Sequence, residues 1–468
     1  MIFIAVFTAL FSVLVLTRGE AQTSVPATYK ATITVATSAA VTGQIGNQFI
    51  GLSFEESTLN RRYANVGNLP QLLRNLGKSV IRFGGDTADG PVPNVTPSVL
   101  RGLDKLAKAT GWSVLYTENL AEFNRAQVKA SAKEVSATLG GRLFAFACGN
   151  EPDLFPFTGI RSPDYSFADY LAQDNACLEA IRAGDPHAPL EGPDTANAPA
   201  WLAEYAAKEK GTISYLGQHY YPLGCATLSD SAPAFLPSLL SPKLAATEVT
   251  EFKTYAAAAK KAGVPLVIDE ANSACGGGVR GLSNAYASAL WVIDFMLTGA
   301  EHGVDGMNFH GGLNTLCDDY TVLCQIGPVN QRGPVNYSPQ PIYYGMLLTH
   351  YLGAGGFLPV KIAKSASAAN ITAFAVRDQG SGRVRLIVEN LGADQADATL
   401  RVGGYQGPAS VLHLTGPAPL ATSGVKIQGA SVAKNGVIKP GRANATTCTS
   451  SGCPVTLAPW SAVLVTLG

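Results

Sequence analysis

The chain carries little charge and no excess of either sign. Asp, Glu, Lys and Arg make up 15% of its 468 residues, and 34 basic side chains meet 34 acidic ones. No run of Lys and Arg stands out, which excludes the broad basic field of a nucleic-acid or membrane-surface binder. There is no Cys-x-x-Cys pair, and the six histidines include no metal-spaced pair, so the sequence points to no metal and no other cofactor. A Gly-x-Ser-x-Gly nucleophile elbow, an internal repeat and a low-complexity run are also missing. After residue 16 no apolar stretch approaches the length of a membrane span. Present in quantity are Gly (49), Pro (28) and apolar side chains (47%), the composition of a loop-rich globular protein with ample surface to bury. The length allows three average domains, or one large barrel with a smaller companion.

Met1 to Leu16 is almost continuously apolar, and Gly19 and Ala21 follow at signal-peptidase spacing. Residues 1–21 therefore read as a secretory signal peptide; an uncleaved anchor is the competing reading, because a positively charged start is missing. All eight cysteines lie after this leader, an even count that suits an oxidising compartment. Cys317 with Cys324 and Cys448 with Cys453 close short loops and are natural pairs. Cys225 and Cys275 follow two strands expected to be neighbours, so they can pair as well. Cys148 sits inside an apolar strand and is expected to be a buried free thiol. Four Asn-x-Ser/Thr sequons, at Asn94, Asn336, Asn370 and Asn444, agree with a secreted, extracellular protein that has no membrane contact once the leader is cut.

From residue 45 to 350 short apolar strands alternate with helical stretches. Eight strands are expected: Phe49 to Phe54, Ser79 to Phe83, Ser113 to Tyr116, Leu143 to Cys148, Leu190 to Gly192, Ile213 to Gln218, Pro265 to Ile268 and Gly306 to Phe309. Helices are expected between them, among them Pro97 to Thr110 and Arg125 to Leu139. Eight such units in about 300 residues give an α/β fold, a (β/α)8 TIM barrel. From residue 351 to 468 the helical rhythm gives way to short alternating strands parted by turn residues such as Gly403-Gly404, the pattern of an all-β sandwich domain. Residues 22–44 contain one more strand, Ala31 to Ala36, expected to join that sandwich.

A barrel of this type builds its active site where the strands end, so polar residues directly after apolar strand cores come first. Leu143 to Cys148 runs into Gly149-Asn150-Glu151-Pro152, and Pro265 to Ile268 runs into Asp269-Glu270-Ala271-Asn272-Ser273. This places Glu151 at the mouth of the fourth strand and Glu270 at the mouth of the seventh, facing each other. Two facing carboxyls are what glycoside hydrolysis requires, one protonated for the leaving oxygen and one ionised for the anomeric carbon. Asn150 supplies an amide able to bond the sugar 2-hydroxyl. A lone strand-end Glu would more often cap a helix or pair with Arg. Gly276-x-Gly278-x-x-Gly281 fits a dinucleotide fingerprint but begins too far past its strand, and reads as an active-site loop.

Taken together, Gly149-Asn150-Glu151-Pro152, Asp269-Glu270-Ala271-Asn272-Ser273, Ile81-Arg82-Phe83-Gly84-Gly85-Asp86 and His219-Tyr220-Tyr221 resemble glycoside hydrolase family 79, the family of secreted β-glucuronidases and heparanases. The resemblance covers the barrel and, in layout, the trailing β-domain. It implies a retaining exo-β-glucuronidase, with Glu151 as acid/base and Glu270 as nucleophile. It also implies that Glu55 and Asp86 contact the terminal sugar, that Tyr220 donates to Glu270 or the ring oxygen, and that His219 supports from behind; one of Tyr220 and Tyr221 is expected only to pack. For the uronate carboxylate it points to Gly312 and Tyr320 after the eighth strand, with Tyr337 a possible substitute. The implied partner is a carbohydrate with terminal glucuronate, with or without a 4-O-methyl group, acted on by a monomer or weak homo-oligomer. An endo-acting, heparanase-like enzyme is the alternative, disfavoured by the absence of a basic cluster. A catalytically silent sugar-binding barrel is another, but it predicts the loss of one glutamate, and both are present.

Overall fold

The computed structural model describes residues 28–60, 67–90, 95–196, 198–225, 231–313, 317–326, 335–367 and 369–468. The leader and the sequon at Asn94 lie outside the described residues. Eight parallel strands form one sheet: β1 (Ile50–Glu55), β2 (Val80–Gly84), β3 (Ser113–Glu118), β4 (Leu143–Cys148), β5 (Glu191–Thr195), β6 (Tyr215–Tyr220), β7 (Leu266–Ala271) and β8 (Gly306–His310). Their order is β4-β3-β2-β1-β8-β7-β6-β5, and a parallel bridge between Phe146 and Leu190 brings the two ends together into a nearly closed barrel. The eight βα units expected from the sequence are thus a TIM barrel.

Helices cover the barrel where local signals start and stop them. Thr96 caps Pro97–Thr110 by accepting from the Val99 N–H, Pro97 takes the first turn, and Gly111 ends the helix in the left-handed region. Ser166 and Asp169 form a capping box at the start of Phe167–Gly184. Helix Tyr286–Glu301 is apolar around almost its whole circumference, because it lies between the barrel and the β-domain. The Tyr286 hydroxyl donates to Leu414 O, and the N–H groups of Tyr286 and Ala287 donate to Ala421 and Pro419.

The trailing part is two antiparallel-rich sheets packed over a core that includes Ile33, Leu386, Leu400 and Val463. Thr28–Val35 runs parallel to Gln395–Val402 and antiparallel to Val360–Lys364, so the first described strand completes the sheet built from the end of the chain. Four disulfides link Cys148 to Cys177, Cys225 to Cys275, Cys317 to Cys324 and Cys448 to Cys453. Cys148 is therefore no free thiol: pleat alternation turns it outward from the barrel, against Cys177 on helix Phe167–Gly184. No helix among the described residues is long and apolar enough to cross a membrane.

Candidate active site

Inside the barrel, Val80, Leu115, Ala145 and Ala147 form a small apolar cluster. One pleat further along β2 stands Arg82, with no solvent exposure. Its guanidinium gathers groups from five other strands or the turns that follow them, among them His219 on β6, whose Nε2 lies 3.1 Å from Nη2. Nη1 lies 2.6 Å from Glu270 Oε2 and donates to Ser53 Oγ; Nη2 donates to Asn150 Oδ1 at 2.9 Å; Nε lies 2.8 Å from Asp269; and Nη2 sits 3.9 Å from Asp194. A buried cation survives only with such pairing, and the surrounding carboxylates hold it charged at every accessible pH.

Glu270 ends β7 almost fully buried. Burial alone would raise its pKa. The charges of His310, His219 and Arg82, and a hydrogen bond of 2.5 Å from the Tyr221 hydroxyl, overcome that and hold it far below the usual carboxylate range. Glu151 follows β4 in the left-handed region, with φ 50° and ψ 54°, its N–H donating to Asp194 O. A non-glycine residue there is strained by roughly 1 kcal/mol or more, a cost concentrated at functional sites. Burial pushes its carboxyl pKa up, against the opposing pull of His219, whose Nδ1 lies 3.0 Å from Oε1. One atom each of Glu151, His219 and Glu270 lie within 4.8 Å of one another. Two facing carboxyls of opposite proton affinity can serve as an acid and a nucleophile.

The other candidates divide. Asn150 is fixed by Arg82 on its oxygen and by Asp89, which accepts from its backbone N–H at 2.6 Å; its Nδ2 points toward Asp86 at 3.5 Å. Glu55 accepts from the N–H and hydroxyl of Thr87 and lies 3.3 Å from His310 Nε2. Gly85 makes room for it: at φ +69° a Cβ there would come within 2.6 Å of the Glu55 carboxylate. Asp86 is exposed, and burial of part of the group together with Glu55 and Glu270 raises its pKa. Tyr320 lies at the same mouth, its ring 5.8 Å from His310 and 6.4 Å from Tyr221, its backbone tied to Asn272 and Gly277. The glycine loop 276–281 thus folds against Tyr320. Gly311 donates to Ser53 O, and the next residue, Gly312, is buried with no hydrogen bond from its N–H among the described residues. Tyr337 is buried in the core, its backbone paired with Asn68.

Tyr220 is a correction. It points away from the nucleophile and packs on Phe252, Tyr255 and Phe295, while Tyr221 makes the bond to Glu270. The signal was in the pleat: if His219 faces the interior, Tyr220 must face out. Replacing Tyr221 by Phe should cost about 10- to 100-fold in kcat/KM, since one charge-assisted hydrogen bond is worth about 1.5–3 kcal/mol. Tyr220→Phe should stay within about twofold; the reverse order in steady-state assays would contradict this assignment. Arg82, Asp269 and His310 were not singled out from sequence. An Arg inside an otherwise apolar barrel strand was the available signal for the first.

A nearly closed parallel barrel with facing glutamates at its mouth, backed by a β-sandwich, is a glycoside hydrolase architecture. No protein-family model matches the chain. In sequence it is similar to a β-glucuronidase of Neurospora crassa, 28% identical over 197 residues, covering 37% of this chain and 34% of that protein. It is likewise similar to a β-glucuronidase of Aspergillus niger, 24% identical over 227 residues, 44% of this chain and 41% of that protein. The matched stretches thus span well under half of these relatives. In fold it is similar to a solved 4-O-α-L-rhamnosyl-β-D-glucuronidase of Fusarium oxysporum, with TM-score 0.75 at 21% identity over 93% of this chain and 100% of that one. A family 51 arabinofuranosidase of Xanthomonas axonopodis pv. citri gives 0.69 at 16% identity, over 94% and 100%. The fungal β-glucuronidases agree with the resemblance to family 79 drawn from the motifs.

Proposed function

We propose that the protein is a secreted, retaining exo-β-glucuronidase that removes terminal β-linked glucuronic acid by double displacement. Glu151 protonates the leaving oxygen while Glu270 attacks the anomeric carbon. A water that gives its proton to Glu151 then releases the sugar from Glu270. The observation that carries this reading is the pair itself: carboxyl oxygens within 4.8 Å, one proton-retaining and one held ionised. So short a gap suits direct attack, since inversion needs room for a water between carboxyls about 6.5–9.5 Å apart. In this reading Asn150 Nδ2 meets the 2-hydroxyl, Glu55 and Asp86 meet other hydroxyls, and Tyr320 with the Gly312 N–H meets the uronate. The similarity to two fungal β-glucuronidases supports the choice of sugar.

Nitrophenol release from the aryl β-glucuronide, beside the β-glucoside and β-xyloside, tests the substrate class; preference for either neutral sugar would overturn it. The pH profile follows from the two shifts. The acid must be protonated, so kcat/KM should fall as pH rises through the elevated pKa of Glu151. The nucleophile must be ionised, and its lowered pKa should keep the acid limb below the ordinary carboxylate range. An enzyme most active on the acid side of neutrality is the expected result, and a profile rising through pH 8 would contradict it.

A further inference from the structure

The barrel interior holds charge that the double displacement does not itself use. His219 is engaged at both ring nitrogens. Nδ1 lies 3.0 Å from Glu151 Oε1, and Nε2 lies 3.3 Å from Asp269 Oδ2 and 3.1 Å from Arg82 Nη2. His219 and Asp269 are fully buried. The two contacts of Nε2 are mutually exclusive in proton terms. A ring with its only hydrogen on Nδ1 accepts from Arg82 at Nε2, whereas a ring protonated at Nε2 donates from there to Asp269. The charge on Asp269 selects between them.

We propose that Asp269 is a positioning residue that acts through His219, holding the imidazole as a cation whose Nδ1–H is aimed at Glu151 and thereby setting the proton affinity of the acid/base. The inference rests on reading Glu151 as that acid/base. In the first half-reaction Glu151 gives its proton to the leaving oxygen, and the carboxylate so formed keeps the Nδ1–H hydrogen bond. In the second it takes one proton from the attacking water, whose oxygen bonds to the anomeric carbon as the Glu270 ester breaks. His219 keeps both ring protons throughout.

The groups facing the ring favour this state. Burial by itself would lower the His219 pKa, but Asp269 and Glu270 on β7 outweigh both burial and the opposing charge of Arg82 on β2, and the net shift is well upward. From β4 comes Glu151. On β5, Glu191 and Asp194 are buried side by side; burial and the charge of Asp194 push Glu191 far up, while burial and the charge of Asp269 push Asp194 up to about 7, so the pair adds less than two charges. Gly217 on β6 leaves the space they occupy, since a Cβ there would overlap both carboxyls. His310 on β8 sits on the far side of Glu270, 3.4 Å from its Oε2. Asp269 is therefore the carboxylate in contact with Nε2 that favours the cation.

The test is Asp269→Asn, which keeps shape and removes charge. With the imidazole neutral, Glu151 loses a stabilising neighbour for its carboxylate and keeps its proton to higher pH. The alkaline limb of kcat/KM on an aryl glucuronide should move up by about 0.5–1 pH unit. His219→Gln should move it likewise, and the double variant should move it no further. Nitrogen-15 NMR of the six imidazoles, with His219 assigned by the His219→Gln variant, should show a doubly protonated ring at pH 7 in the parent and a neutral one in Asp269→Asn. An unmoved limb or an unchanged His219 resonance overturns the proposal, as does a shift in the double variant equal to the sum of the two. If Asp269→Asn does not fold, the parent spectrum still decides, because a neutral His219 at pH 7 contradicts the cation. Failure of the wild type to cleave any glucuronide would strike the glucuronidase reading, while the NMR result judges Asp269 and His219 on its own.

Discussion

Glu270→Gln should lower turnover of an aryl β-glucuronide by on the order of 10⁴-fold or more, with an unchanged fold. The size follows from the role. A carboxylate that forms a covalent glycosyl-enzyme has no substitute in the site, and losses of this order follow removal of a nucleophile. Gln fills the same volume, and its amide oxygen can still accept from Arg82 or Tyr221, so the fold loses a charge without gaining a cavity. Arg82 keeps Asp269 at 2.8 Å and Asn150 at 2.9 Å. Stability should fall by about 1–3 kcal/mol, the scale of one weakened charged hydrogen bond. The contrast with Glu151 is sharper than either loss alone. Glu151→Ala should remain active on a dinitrophenyl glucuronide, whose leaving group needs no acid, and azide should rescue it with a β-configured glycosyl azide. Added azide should not restore a retained product in Glu270→Gln. Turnover within about tenfold of wild type in Glu270→Gln would remove Glu270 from the mechanism.

The parts of this molecule that were legible in the sequence are those written locally. Helices Pro97–Thr110 and Arg125–Leu139 have the expected ends, because Thr96-Pro97, Asn124 and Gly111 are start and stop signals within one turn of the boundary. Glu151 and Glu270 stood out because each follows an apolar strand core. β5 was anticipated only as Leu190 to Gly192, yet it runs Glu191–Thr195, since its Glu-Gly-Pro-Asp-Thr sequence has no apolar rhythm and its polar side chains enter the interior charge cluster. The Tyr220 and Tyr221 exchange has a similar cause: β6 loses register with β7 between Gly217 and His219, next to the residues in question. The partners of Arg82 were hidden most deeply. Asn150, His219 and Glu270 lie 68, 137 and 188 residues away along the chain, and only barrel closure makes them neighbours.

Arg82 should be the most costly single residue to change, since stability and chemistry converge on it. Arg82→Met leaves Asp269 and Glu270 buried without their counter-ion, and breaking a buried pair in this way costs about 3–5 kcal/mol. The variant should unfold at a markedly lower temperature or fail to accumulate. Arg82→Lys is the more informative change, because it keeps the charge and loses the fork. An ammonium cannot reach Glu270, Asn150 and Asp269 together, as Nη1, Nη2 and Nε now do. Asn150 would be free to flip its amide, and Glu270 would lose part of the charge that keeps it ionised. Two readouts should therefore move in step. kcat should fall by about 10²- to 10³-fold, in line with removing one preorganised electrostatic contact. The acid limb of kcat/KM should rise toward the ordinary carboxylate range, because a Glu270 with a higher pKa accepts a proton sooner as pH falls. A thermal melt separates the folding loss from the chemical one. An Arg82→Lys enzyme with the parent's acid limb would mean that His310, His219 and Tyr221 suffice to hold the nucleophile ionised, and that Arg82 serves the fold alone.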